Sequence, residues 1–452
     1  KKLIEHMRKG DVGAFALTEE MHGSDLVANE LFAQPNSQGW QLSGSKWCVN
    51  FATYSQILTL LCRSHEKGGP LGCSLFFLDK QLLANSFTPT AKLPTLGVRG
   101  LDISGFILDQ AQIPADALIG KENHGLELTA KSFQISRTLL ASIAIGGADT
   151  ALRLALSFSL QRQLYGKAAF AIPVVQQRLG EQFTQLLIAD CTALSMIRAC
   201  TFMPEQMSLW SAIIKSLIPK MTEEVVEQSA LILGARAYLR TTEWAVFQKI
   251  RRDIQVIGLF DGSTQVNLSF IAGNLLPQAR GRGRKTAECS AQCAEIFNLQ
   301  TPCAPFVNGQ YVLFTHEEDL VFAGLAQLNS PLIDSLIQKV REEISFLDQQ
   351  VLYLHEEKRF DPRSLVAFDL AERYCWIFAA ACCLQFWHYN QGQLSDELNQ
   401  LDWLHLAIEF ILKKLNDSRL IDNDLATTMA KHLCTYRNQN RLFSVVPIKL
   451  AE

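Results

Sequence analysis

The sequence predicts a mainly helical protein that opens with a β-rich domain, and three observations carry this. Short apolar or alternating runs at 39–50, 56–63, 73–78 and 103–113 are separated by clusters of Gly, Pro, Asn and Ser, the pattern of an antiparallel barrel or sandwich. From Gly125 onward the period lengthens, with Val175, Leu179, Phe183 and Leu187 at i, i+4 after Pro173, a residue suited to a first helical turn. Helical patterning then resumes after Glu317 and runs to about Lys449.

Taken in order, residues 1–117 form the β-domain and 118–280 a helical bundle. The Ala-, Gly- and Leu-rich stretch 137–162 lets its helix approach its neighbours closely. Between about 275 and 308 the apolar period fades and Arg280-Gly281-Arg282-Gly283-Arg284-Lys285 appears. This predicts a flexible basic linker over 281–310, able to meet phosphates or another acidic surface. Residues 311–452 then form a separate C-terminal helical domain. Trp376, Phe378, Phe386 and Trp387 stand there at core spacing, for packing or dimerisation. The chain opens at Lys1 without Met and reaches strand signals quickly, so an upstream portion is expected.

With 452 residues, 48% apolar and 19% charged, the chain can bury at least one large core. A net charge of -3 gives no global attraction to nucleic acid or to an acidic membrane. Twelve cysteines without framework spacing, several inside apolar runs, read as buried thiols of a reducing compartment, with cytoplasm the expected location. The apolar stretch 376–387 is too short to span a bilayer, no signal peptide is visible, and membrane association is not expected. Cys289 and Cys293 lie at i, i+4 with Cys303 nearby but no adjacent His, so no metal site is expected. No Gly-rich strand-to-helix fingerprint for a nicotinamide dinucleotide appears.

The chemistry is carried by a carboxylate on a Gly-containing turn, Leu259-Phe260-Asp261-Gly262-Ser263-Thr264-Gln265-Val266, which follows Arg252-Asp253. Alone, such a turn is far more often a helix cap than a catalytic base. It comes, however, after other motifs in a fixed order. Phe15-Ala16-Leu17-Thr18-Glu19 and His22-Gly23-Ser24-Asp25 precede Gly44-Ser45-Lys46-Trp47, and Leu96-Gly97-Val98-Arg99-Gly100 follows. Further on stand Phe133-Gln134-Ile135-Ser136-Arg137 and Arg162-Gln163-Leu164-Tyr165-Gly166-Lys167. Together, over roughly residues 12 to 275, these resemble the acyl-CoA dehydrogenase family.

The resemblance implies a β-barrel plus helical bundle with FAD between them, and loss of a proton and a hydride from adjacent carbons of an acyl thioester to give the trans-2-enoyl product. Asp261 would be the base, in a largely apolar pocket that raises its pKa, and its backbone N–H would polarise the thioester carbonyl. Thr18, Ser24, Trp47, Arg162, Tyr165, Ser263 and Gln265 would contact FAD. Arg137 would brace the base turn or meet the thioester, and Gln134 would lie on the substrate side. The acyl carrier would be CoA or an acyl carrier protein, the electron acceptor an electron-transfer flavoprotein, and the assembly a homodimer or homotetramer. The family's leading helical domain has no counterpart in residues 1–12.

Several positions depart from the family. Asp261 stands where Glu is usual, about 1.5 Å shorter in reach. Gln134 replaces an Asp, Cys48 and Asn50 replace an aromatic and a hydroxyl, and the stretch 231–235 lacks a Gln and keeps only Gly234. These departures leave two rival readings: a catalytically silent subunit, or a flavin oxidase or monooxygenase on the same scaffold.

Overall fold

The period-two runs at the front of the chain become strands of one sheet, and the change of period at Gly125 becomes a long helix. The computed structural model describes every residue except 1, 284–288, 304, 307–309, 316, 317, 447 and 452. Between Phe133 and Gln134 the chain divides into two units.

Unit 1 begins with helix α1 (Lys2–Lys9) and holds strands β1 (Gly13–Ala16), β2 (Phe32–Asn36), β3 (Gly39–Asn50), β4 (Ile57–Arg63), β5 (Cys73–Asp79), β6 (Phe87–Pro89), β7 (Ile103–Ile113) and β8 (Leu118–Ile119). They pair in the order β6-β7-β3-β2-β4-β5-β8, with β1 parallel beside β4. Alternation along β3 and β7 sends Trp40, Leu42, Val49, Phe106 and Leu108 into one core with Leu58, Leu60 and Phe76. The central strand β4 is apolar almost throughout because it is covered on both faces, and Leu61 joins a second cluster with Leu17, Leu75 and Phe133.

The β3–β7 ladder slips between Lys46 and Val49, where Cys48 takes φ 57°. Such a bulge interrupts the two-residue alternation. Lys46 faces inward by the same alternation as Trp40 and Leu42, and the bulge after it leaves Trp47 and Cys48 both outward and brings Val49 to the core.

Helix α2 (Gly125–Gln161) carries the chain into unit 2. A two-strand hairpin, β9 (Gln163–Leu164) and β10 (Lys167–Ala168), leads to α3 (Pro173–Phe202), α4 (Met207–Leu233), α5 (Val246–Asp253) and α6 (Thr264–Gly281). The remaining helices are α7 (Cys289–Phe297), α8 (Leu320–Gln327), α9 (Asp334–Glu356), α10 (Leu365–Tyr389), α11 (Asp396–Asn399), α12 (Asp402–Leu415) and α13 (Asn423–Asn438). Pro173 opens α3 as its sequence position predicts. Ala141, Ala144, Ala148, Ala151 and Ala155 form a buried stripe of small side chains on α2. Gly180 lets α13 press onto α3, since a Cβ there would lie 1.8 Å from the carbonyl oxygen of Ala426.

α10 is buried on all sides from Tyr374 to Trp387, as its unbroken apolar run predicts. By length and composition alone, α2 and α3 could cross a membrane, and neither is the apolar stretch 376–387. In the fold, 83% of the most apolar window of α3 is buried, against 44% for α2.

The expected linker is corrected by the structure. The bundle and the C-terminal helices share one unit and one apolar core, with α10 packed on α3, α4 and α6. Arg282 makes paired hydrogen bonds to Asp348 of α9 at 2.9 and 3.1 Å, and its guanidinium lies 4.9 Å from the ring centre of Phe322. Arg280 hydrogen-bonds His355. Partners far along the chain thus convert a run that reads as solvated spacing into an anchor, while Arg284 and Lys285 lie outside the described residues.

Nearby, buried Asp319 caps α8 and accepts hydrogen bonds from Trp210 Nε1 at 3.1 Å and from the Tyr374 hydroxyl at 2.5 Å. Buried Arg198 donates to the carbonyls of Glu295 and Ile296 in the last turn of α7 and of Asn298 and Thr301 just beyond it. Among the twelve thiols only Cys48 and Cys303 are exposed, Cys434 is half-buried and the rest are buried.

Candidate active site

α5 gives way to a short 3-10 turn, Ile254–Gly258, and the chain then passes through Asp261 before α6 begins. Asp261 and Gly262 take φ 53° and 89°. A left-handed non-glycine residue costs roughly 1–3 kcal/mol, so its surroundings must impose it. Gly262 is favoured by its positive φ, and a Cβ there would also lie 2.6 Å from Arg137 Nη2, so that guanidinium would have to shift.

The turn is held through its carbonyl oxygens. Asp261 O accepts from Arg137 Nε at 2.7 Å. Lys215 Nζ donates to Ile257 O at 2.5 Å and to Gly262 O at 3.2 Å. Asn267 Nδ2 donates to Gly262 O and Ser263 O, each at 2.9 Å. In a trans peptide the N–H lies opposite the carbonyl, so Gly262 N–H points away from Arg137. Among the described residues, the backbone N–H groups of Asp261 and Gly262 have no hydrogen-bond partner.

The carboxylate itself is half-buried, and its Oδ2 accepts from Ser136 Oγ at 2.9 Å. Its surroundings in unit 2 are not the largely apolar ones expected. Burial pushes the Arg137 guanidinium down to about 10 while the charge of Asp261 opposes this. Burial likewise pushes the Lys215 ammonium down to about 8, with Asp261 raising it and Arg137 lowering it further. The base turn therefore rests on two cations, a buried Lys215 and a half-buried Arg137.

Other predicted positions are distributed as follows. Ser263 is the N-cap of α6, its hydroxyl accepting from Val266 N at 3.4 Å. Gln265 is exposed in the first turn of α6. Gln134, expected on the substrate side, is buried and donates from Nε2 to Val312 O at 2.6 Å. It ties α2 to the segment that precedes α8. Arg162 and Tyr165 are exposed around the β9–β10 hairpin, with Tyr165 at φ 53° in its tip.

In unit 1, Trp47 N donates to Thr18 O at 2.9 Å, which brings those two predicted residues together, and Ser24 is exposed further along the same loop. The Thr18 hydroxyl has no partner among the described residues, and the Trp47 indole is open to solvent.

The sequence reading missed what supports this loop. Lys46 Nζ donates to Glu19 Oε1 at 2.8 Å and to Leu17 O at 2.9 Å. Glu19 also accepts from the N–H of Glu30 at 2.7 Å and of Leu31 at 3.0 Å. Burial alone would raise the Glu19 carboxyl, but Lys46 and these two donors outweigh it and hold it below its usual 4.5. The signal available was a Lys inside an otherwise alternating strand, one residue before the Trp.

Each unit by itself leaves side chains open that could meet a flavin dinucleotide, Thr18 and Trp47 in unit 1 and Arg162 and Gln265 in unit 2. Sequence comparison agrees. Residues 14–111 match the acyl-CoA dehydrogenase middle domain and residues 123–276 the acyl-CoA dehydrogenase C-terminal domain. The mitochondrial isovaleryl-CoA dehydrogenase of Solanum tuberosum is 24% identical over 280 residues, covering 62% of this chain and 66% of that protein. The short-chain specific acyl-CoA dehydrogenase of Homo sapiens is 25% identical over 273 residues, covering 60% of this chain and 64% of that protein. The chain thus spans just under two thirds of the length of these relatives.

Among solved structures, the acyl-CoA dehydrogenase of Bacillus anthracis complexed with FAD matches with a TM-score of 0.67 at 15% identity, covering 96% of this chain and 73% of that one. That match extends the likeness in fold through the C-terminal helices. The family is one of FAD-binding flavin oxidoreductases. The chain belongs to the acyl-CoA dehydrogenase family.

Proposed function

We propose that this protein is an FAD-dependent dehydrogenase of acyl-CoA thioesters that uses Asp261 as its base. The observation that carries this reading is the set of the Asp261 turn. Its carbonyls are held by Arg137, Lys215 and Asn267, while the N–H groups of Asp261 and Gly262 have no hydrogen-bond partner among the described residues. A carboxylate next to an unpartnered N–H can take a proton from the carbon adjacent to a thioester carbonyl while the N–H donates to the carbonyl oxygen. The chemistry FAD supplies when bound is acceptance of a hydride from the following carbon, which leaves the trans-2-enoyl thioester. Thr18, Trp47, Arg162 and Gln265 would hold the cofactor.

The short reach of Asp261 is the demanding point, because a misplacement of about 1 Å can cost on the order of a hundredfold in rate. Ser136 fixes one carboxylate oxygen and so limits the rotamers over which that reach is spread. CoA is favoured over an acyl carrier protein because the relatives are named for CoA thioesters and the expected basic linker is tied to α9. An electron-transfer flavoprotein as acceptor and a homodimer or homotetramer belong to the same reading.

The test is an absorption spectrum of the full-length protein during anaerobic titration with butyryl-CoA, isovaleryl-CoA and palmitoyl-CoA. Bleaching of the oxidised flavin band is expected with at least one of them. Asp261→Asn should keep its FAD and lose reduction by about a thousandfold or more. Bound flavin that forms peroxide and ignores every thioester would favour an oxidase. Purified protein without flavin would favour the silent subunit.

A further inference from the structure

The feature that the proposed reaction does not yet use is Lys215. It lies on α4 among Ile213, Ile214, Ser216 and Leu217, is 1% exposed, and forms no ion pair within 4.0 Å among the described residues. A buried ammonium is costly unless oxygens replace its water. Here the oxygens are carbonyls, Ile257 O at 2.5 Å and Gly262 O at 3.2 Å. The Phe260 ring lies to one side, its centre 5.5 Å from Nζ.

These two carbonyls stand at the start and end of the turn that carries Asp261. One ammonium therefore closes that turn. Asn267 holds only the trailing end and Arg137 only the centre. With Asp261 and Gly262 both left-handed, the turn needs such a clamp to stay in one conformation.

We propose that Lys215 is a positioning residue which, by holding Ile257 O and Gly262 O together, sets the orientation in which the Asp261 carboxylate and its N–H meet the thioester. This rests on the reading of Asp261 as base. The charged groups that bear on Lys215 are Asp261 of the turn, Arg137 of α2 and Glu223 of its own helix, with Glu227 acting behind Glu223. Burial outweighs the two carboxylates and brings the ammonium down to about 8. The clamp thus weakens as pH rises through that value, since a neutral amine binds carbonyls less strongly.

The experiment compares Lys215→Met, Lys215→Arg and Asp261→Asn in the full-length FAD-loaded protein, using whichever of the three acyl-CoAs above reduces it fastest. Lys215→Met should slow flavin reduction about tenfold to a hundredfold, with FAD content and acyl-CoA Kd changed by less than about threefold. Its peptide spanning residues 257–262 should exchange amide hydrogens faster, with or without FAD. The wild type should show an alkaline limb in the reduction rate near pH 8, and Lys215→Arg, whose guanidinium stays charged, should lose that limb.

A Lys215→Met protein with wild-type reduction, exchange and pH profile beside an inert Asp261→Asn overturns the proposal and leaves the base standing. If Asp261→Asn reduces at the wild-type rate, the base reading has failed instead. Should Lys215→Met not fold, Lys215→Arg decides alone, and a limb still near pH 8 in that variant overturns the role of Lys215.

Discussion

Asp261 and Lys46 pose the same question in different units: what keeps a group of unfavourable placement where it is. Lys46 is fully buried in unit 1 with Glu19 as its partner, on the inward-facing side of β3. Lys46→Met would leave a buried carboxylate unpaired, at a cost of about 3–5 kcal/mol, read as a fall in Tm. Glu19→Gln combined with Lys46→Met should restore much of the loss.

Acid should act on the same pair. Because the folded Glu19 carboxyl sits below its usual 4.5, its contribution is fully present above that pH and disappears as pH falls through the folded value. An acid melting series on Glu19→Gln should accordingly flatten relative to wild type below pH 4.5. The motif residues Thr18, Glu19, Lys46 and Trp47 were legible in sequence, but their pairing was not. A charged pair separated by a loop and a strand leaves no local pattern, and the same holds for Ser136, Arg137 and Lys215 around Asp261.

At the scale of the elements, strand alternation and helical period located most of the segments, since burial on one face writes itself into composition. Close approach between helices is written in single residues. At Gly180 a methyl group would meet the Ala426 carbonyl oxygen at 1.8 Å, a contact backbone cannot relieve without parting α3 from α13. Gly180→Ala should therefore destabilise the protein by about 1–3 kcal/mol, the reverse of the usual gain from replacing a helical Gly by Ala; chemical denaturation gives the sign directly. The basic run at 280–285 misled for a related reason. Arg282 finds Asp348 on α9, and no periodicity within the run itself announces a partner so far away.

For the molecule as a whole, unit 2 extends from Gln134 to Glu452 as one body. The resemblance to the family covered only the first part of it, so the C-terminal helices read as an appended domain. In the fold, α10 and α12 cover α3, and α10 also covers α6, burying faces that would otherwise be open. A chain ended after Arg280 should consequently aggregate or stay expanded, with reduced helical circular dichroism per residue and early elution on gel filtration. A soluble, folded product would mean that the two halves of unit 2 are independent.

The distribution of thiols gives the fold a chemical readout of its own breathing. Burial pushes Cys293 and Cys375 up to about 12 and Cys62 higher still, so these sulfurs are both shielded and protonated at neutral pH, and an alkylating reagent meets a reactive thiolate there only when the surrounding layer opens. Cys48 and Cys303, already exposed, set the fast baseline. The slow phases of alkylation in the unmodified chain then rank the local opening of the β-domain, through Cys62, against that of the helical core, through Cys293 and Cys375.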